Sequence, residues 1–315
     1  MKHIINVFCT MVWYSNQYLH LTAEHKMKSR GMFIFGLLGC LMAGTTTAVH
    51  KAPAAVKPPQ TIVYPSVASQ VSFKSVTELQ VTQPSQKIMY GDNPLQFGWL
   101  WPGDHASNKP LIVLVHGGCW LNAFGVDHSF PMATALSQAG HPVWSLEYRR
   151  TGDEGGGWPG SFDDIKSALK NLDALNQHGI NTESIILLGH SAGGHLALLA
   201  ASELTEIKFK QVIGLAAITD ISRYALGENS CQTATPKFMN GLPHEQSADY
   251  HQANLIYRQL PASVTLLHGD ADRIVPIIQT KLPAVNVEII PAAGHFDWVH
   301  PGSPAFQKLL TVLDL

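Results

Sequence analysis

The chain has 315 residues, 45% of them hydrophobic and 14% charged, with 21 Lys and Arg against 23 Asp and Glu. That is enough apolar material for one sizeable core, and it excludes a disordered or collagen-like chain. The near balance of charge, without any dense basic run, excludes a phosphate-tracking surface, so nucleic acid is not an expected partner.

In chain order, the first distinctive feature is the apolar stretch from Gly31 to Gly44, preceded by Lys26, Lys28 and Arg30 and followed by small residues through Ala48. Basic, then apolar, then small is the order of a secretory signal, and the stretch falls short of the roughly 20 apolar residues that a transmembrane helix needs. Because the charges of a signal stand at its start, Met27 is the expected initiator. Residues 1–48 are thus the expected signal region, cleaved near Ala48, and the mature protein is expected to be secreted or periplasmic. A second reading is a lipobox, Leu37-Leu-Gly-Cys40, which would anchor a lipoprotein through Cys40. With residues 1–48 removed, only Cys119 and Cys231 remain as cysteines. One pair is too few for a disulfide scaffold, so buried free thiols are expected, with a bridge between them as the alternative.

Residues 49–72 carry Pro53, Pro58, Pro59 and Pro65 and read as an extended linker. The β-rich runs Val76 to Val81, Lys87 to Tyr90 and Leu95 to Trp101, with Gly91-Asp-Asn-Pro94 as a turn, predict antiparallel strands at one edge of a sheet. Continuous apolar runs then predict buried strands at 111–115, 143–146, 185–188, 212–216, 264–267 and 285–290. Helical patterns fall between several of them, at 132–138, 162–177 and 192–203, with a last one at 305–313. Alternating strands and helices demand an α/β fold with a mostly parallel sheet covered on both faces, its strand-end loops gathered at one edge.

Four of those loops carry chemistry. The run Ile112-Val-Leu-Val-His-Gly-Gly-Cys-Trp120 ends a strand in two glycines, and the unshielded N–H groups of Gly117 and Gly118 could meet an oxyanion. Leu187-Leu-Gly-His-Ser191-Ala-Gly-Gly places a G-x-S-x-G sequence between a strand and an Ala/Leu-rich helix, the context of a nucleophile elbow, with the Ala192 N–H as a second oxyanion donor. Asp272 and His295 follow the strands at 264–267 and 285–290. Serine needs a base and the base needs a carboxylate, and Ser191, Asp272, His295 stand in the order of an α/β hydrolase. Asp270 and Asp220 also stand at strand ends, but Asp272 completes the turn leading to Val275 and Pro276. His190, His195 and His268 lack the spacing of a metal motif, so neither metal nor cofactor is expected.

Taken together, HGGCW and GHSAGG resemble the α/β-hydrolase superfamily, in particular its carboxylesterases and kynurenine (aryl) formamidases. The resemblance extends over about residues 95–315 and takes in Glu147-Tyr-Arg-Arg150, Gly155-Gly-Gly-Trp-Pro159, Asp163-Asp164 and Ala293-Gly-His-Phe-Asp-Trp-Val-His-Pro301. It implies an α/β-hydrolase domain over 73–315, with Ser191 as nucleophile, His295 as base, Asp272 as acid and Gly117, Gly118 and Ala192 as oxyanion donors. The connection from Asp272 to Val285 is shorter than the family's usual helix there. The stretch 220–261 is too long for an ordinary loop and predicts a small cap. From this segment and its neighbours, Trp120, Trp158, Tyr224 and Phe238 are the candidate substrate-binding residues. The expected function is a serine hydrolase acting on small carboxylic esters. The alternatives are an arylformamidase or small-peptide amide hydrolase, and a hydrolase-like binding protein without catalysis. The sequence carries no sign of oligomeric state.

Overall fold

The computed structural model describes residues 61–314, Ala262 excepted, so the leader, Met27, Ala48 and Cys40 lie outside the described residues. Eight strands form a single sheet: β1 (Gln86–Met89), β2 (Phe97–Trp101), β3 (Leu111–Val115), β4 (Val143–Leu146), β5 (Ile185–His190), β6 (Phe209–Leu215), β7 (Val264–Gly269) and β8 (Asn286–Ile290). Their spatial order is β1-β2-β4-β3-β5-β6-β7-β8. The pairs β1–β2 and β2–β4 are antiparallel, and every pairing from β4 to β8 is parallel. This is an α/β-hydrolase sheet with antiparallel edge strands at its N-terminal side.

The helices are α1 (Phe73–Thr77), α2 (Phe130–Gln138), α3 (Gly160–Lys170), α4 (Ala192–Glu203), α5 (Ile221–Tyr224), α6 (Ser230–Phe238), α7 (Ser247–Ala253) and α8 (Pro304–Leu313). Side chains alternate across a strand, and the core divides accordingly. Leu111, Val113 and Val115 of β3 join Phe162 and Ile165 of α3 and Leu196 and Leu199 of α4 on one face. Ile112 and Leu114 join Met132 and Leu136 of α2 and Phe306 and Leu309 of α8 on the other. Burial on both faces is why the inner strands read as apolar runs, whereas β8, expected to be buried, is an edge strand with Val287 and Ile289 exposed. All of α4 from Ala192 to Ala201 is buried, which explains its lack of a polar stripe.

Three expectations are corrected. The stretch from Val76 to Val81 is not a strand: Ser72 caps α1 by accepting the Ser75 N–H at 3.0 Å, and Val76 alone is driven into the core. The helix expected over 162–177 starts earlier, at Gly160, and breaks at Asn171 into a 3₁₀ segment, Leu172–His178. The described part of the linker is extended but docked. The Ile62 amide and carbonyl both bond Gln138, the Val67 N–H reaches the Gly302 carbonyl, and the Gln70 and Val71 N–H groups reach the Asp297 carboxylate at 2.8 Å.

Between β6 and β7 the chain forms α5, α6, α7 and a 3₁₀ turn, Leu255–Tyr257. From Asp272 to β8 there is only a 3₁₀ turn, Ile277–Thr280. Because β3 to β8 run parallel, the turns after β3, β5, β7 and β8 meet at one edge of the sheet.

Candidate active site

Ser191 connects β5 to α4 with φ +55° and ψ −119°, a region that side chains other than Gly seldom adopt. Two features hold it there. Its N–H donates to the Leu215 carbonyl at 2.8 Å, and Gly193 lets α4 start against β3, since a methyl group at Gly193 would collide with the carbonyl oxygens of Val115 and His116. The result lifts the Ser191 hydroxyl into a cavity and leaves the first N–H groups of α4, beginning with Ala192, without intrahelical partners.

His295 and Asp272 come from the turns after β8 and β7. The His295 Nδ1–H donates to Asp272 Oδ2 at 2.7 Å, which leaves Nε2 unprotonated in the neutral ring. The other carboxylate oxygen accepts the N–H groups of Ile274 and Val275 at 2.8 and 2.9 Å. Burial alone would raise the Asp272 pKa, but facing His295 and the backbone donors together hold it below the ordinary aspartate value. Asp270 and Asp220 are occupied elsewhere: Asp270 accepts the Ala292 N–H, and Asp220 caps α5 and bonds Asn254.

Gly117 and Gly118 form the turn after β3, and Gly118 has φ +106°. The turn presses on the elbow so closely that a methyl group at Gly117 would lie 3.1 Å from Ser191 Cβ. Among the described residues, the N–H groups of Gly117 and Gly118 have no protein acceptor. The next residue, Cys119, is bridged to Cys231 of α6 across 112 positions, with Cα atoms 5.0 Å apart. This corrects the expectation of free thiols: α6 carries Cys231 directly over the Gly117–Cys119 turn.

Ser191, His295 and Gly118 line one cavity of about 190 Å³, whose apolar walls are Phe73, Phe124, Ile274, Phe296 and the disulfide. The four aromatics expected to bind substrate do not line it. Trp120 and Phe238 stack on each other at 4.6 Å, Trp158 stacks on Phe162, and the Tyr224 hydroxyl donates to the Ile274 carbonyl. They are buried as packing between the sheet and the segment above it, because their large rings fill that joint completely. Met239 and Tyr250 are buried as well, and Leu242 is on the surface.

The remaining histidines are supports. His190 Nε2–H donates to the His295 carbonyl at 3.0 Å; burial, and then the neighbouring His295, push its pKa well below the usual value. His195 donates to the Ala253 carbonyl and His268 to the Val275 carbonyl. No cluster able to hold a metal ion occurs among the described residues. Nor is any described helix long and apolar enough to cross a membrane.

Asp297 is a site residue the sequence reading did not single out. Fully buried, it accepts the N–H groups of Gly294, Gln70 and Val71, each at 2.8 Å, and so ties the His295 turn to the segment that delivers Phe73. Its only sequence signal was its place two residues after His295 in the GHFD string.

Comparison with known proteins bears on the family and the fold. The BD-FAE family model matches residues 100–284. Esterase LipC of Mycobacterium tuberculosis is 23% identical over 244 residues, which cover 67% of this chain and 59% of LipC, so the chain spans less than two thirds of that relative. Among solved structures, esterase B from Lactobacillus rhamnosis superimposes with a TM-score of 0.62 at 20% identity, over 77% of this chain and 89% of that one. A bacterial heroin esterase does so with a TM-score of 0.59 at 17% identity, over 76% and 85%. At these identities the structural likeness speaks for the fold.

Proposed function

Since the chain belongs to the BD-FAE family, we propose that it hydrolyses small carboxylic esters through an acyl-serine intermediate on Ser191. The observation that carries this reading is the 2.7 Å bond from His295 Nδ1 to buried Asp272, with His295 and Ser191 on the wall of the same cavity. His295 Nε2 takes the Ser191 proton as Oγ attacks the ester carbonyl, and Asp272 stabilises the imidazolium that forms. The N–H groups of Gly117, Gly118 and Ala192 receive the oxyanion. His295 then gives its proton to the leaving alcohol, and in the second half it takes one from the water that releases the acid.

A cavity of about 190 Å³ with phenylalanine walls favours a compact apolar acyl group, and the segment over 220–261 serves as the cap above it. An extracytoplasmic setting, with the leader removed near Ala48, belongs to the same reading, and a disulfide such as Cys119–Cys231 is stable in such a compartment.

The test is the ratio of kcat/KM for p-nitrophenyl acetate to that for N-formylkynurenine, with Ser191→Ala as the blank. A ratio strongly favouring the ester is expected. A preference for the formamide would replace the ester reading with an arylformamidase, and activity surviving in the blank would remove Ser191 from the mechanism.

A further inference from the structure

Beneath Gly117 and Gly118 lies a buried charged network that the steps above do not use. His116 Nε2 is 3.0 Å from Glu147 Oε1, and His116 Nδ1 is 2.7 Å from the carbonyl oxygen of Gly117. A carboxylate and a carbonyl can only accept, so both contacts are hydrogen bonds only when both ring nitrogens carry a proton, as in an imidazolium. Glu147 Oε1 also takes the Tyr148 N–H at 2.9 Å, and Oε2 takes the Val126 N–H at 3.0 Å and faces Arg150 Nη1 at 3.2 Å. Arg150 in turn donates to the Phe124 carbonyl at 2.8 Å. One carboxylate therefore ties the turn after β3 to the 124–126 segment that walls the cavity.

The direction of the Gly117 carbonyl matters because Gly117 O and the Gly118 N–H belong to one peptide unit. That unit is planar and trans, so fixing its oxygen on one side fixes its N–H on the other. Loss of the second ring proton would turn the Nδ1 lone pair against the Gly117 oxygen, and the peptide would no longer be held. We propose that Glu147 is a positioning residue for acyl transfer: it keeps His116 an imidazolium, which pins the Gly117 carbonyl and so aims the Gly118 N–H at the developing oxyanion. The inference rests on the hydrolase reading of the site.

The other groups facing His116 agree with this assignment. Tyr148 stacks on the ring at 4.5 Å, and its hydroxyl donates to the His116 carbonyl at 3.1 Å. His128 meets the ring edge-on at 5.3 Å; burial, and then the His116 charge, push its pKa down to about 3, so it adds no second cation. Arg150 is drawn off by Glu147 and by Asp153 at 3.3 Å. Glu147 itself would be raised by burial, yet the His116 and Arg150 charges and the Tyr148 N–H hold it below the ordinary glutamate value.

The experiment compares wild type with Glu147→Gln across pH, with kcat expressed per site titrated by a phosphonate ester so that unfolded molecules do not count. Removing one oxyanion donor costs roughly 10²-fold in kcat, and the partial misaiming expected here should cost about 10-fold or more with KM nearly unchanged. Without the facing carboxylate, the alkaline limb of kcat should move to lower pH. Glu147→Asp should restore part of both. Wild-type kcat per site with an unmoved alkaline limb would overturn the inference. Should Glu147→Gln fail to fold, ¹⁵N spectra of wild-type imidazoles decide: two protonated nitrogens at His116 above pH 7 are expected, and a neutral ring would overturn it. A wild type without esterase activity would instead sink the hydrolase reading, which the nitrogen spectra do not touch.

Discussion

The turns at the edge of the sheet and the walls of the cavity above them are built by different rules. Each turn is closed by its own few residues: the Ser191 elbow by Gly193 and the start of α4, the Asp272 turn by the N–H groups of Ile274 and Val275, and the β3 turn by two glycines. Of the walls, Ile274 and Phe296 stand in the Asp272 and His295 turns, while Phe73 and Phe124 come from separate parts of the chain that only the finished fold brings together. On the proposed reading, the chemistry is written in the turns and the specificity depends on walls, Phe73 and Phe124 among them, that only the fold brings to the site. Mutations in the turns should abolish activity without changing preference, and mutations in the walls should change preference while leaving turnover.

The largest expected effect is at the elbow. Ser191→Ala should lower kcat on the order of 10⁴-fold or more, with an unchanged thermal midpoint, as read by ester turnover and calorimetry on one preparation. Asp272→Asn should lower kcat by roughly 10³ to 10⁴-fold, since the ring of His295 loses the partner that sets its tautomer. It should also change acid stability. A depressed carboxylate pKa adds stability that is present above the unfolded value of 3.8 and is lost as pH falls through the lower folded value. Acid unfolding below pH 3.8 should therefore be less steep in the Asn variant.

Gly193→Ala sharpens the claim that the elbow depends on close backbone approach. Its added methyl meets two carbonyl oxygens of β3 and its turn, and a loss of about 3 kcal/mol or more is expected from urea unfolding. Cys231→Ser bears on both regions, because the bridge joins the β3 turn to a wall. A loss of about 2–4 kcal/mol is expected, with kcat per titrated site falling less than in the elbow variants. The smallest effect belongs to the walls proper. Phe73→Ala should raise kcat/KM for a hexanoyl ester relative to an acetyl ester by roughly tenfold, and an unchanged ratio would break the division between turns and walls.

The same division explains what the sequence made legible. The inner parallel strands were readable because burial on both faces leaves each with a run of apolar residues, and β3, β4 and α4 fall on their expected bounds. Ser191, Asp272 and His295 could be proposed from sequence because each stands in a turn whose neighbours suggest its chemistry, and the fold sets Asp272 against His295 and brings His295 and Ser191 to one cavity. The stacked pair Trp120 and Phe238 misled for a physical reason: an aromatic beside a reactive turn is as well suited to filling the joint beneath a cap as to touching substrate. Phe73 was hidden because the run after it looked like a strand, whereas Ser72 starts a helix that swings the ring against Phe124 and Phe296. Asp297 and Glu147 were hidden because decisive partners, Gln70 and Val71 for the one and His116 and Val126 for the other, lie far along the chain.

The most direct test of the central claim is mass spectrometry of the folded protein after treatment with a fluorophosphonate. The account predicts one adduct per chain, mapped to Ser191, formed in step with loss of esterase activity and absent when the protein is denatured before treatment. An adduct on another residue, or full esterase activity without any adduct on Ser191, would contradict it.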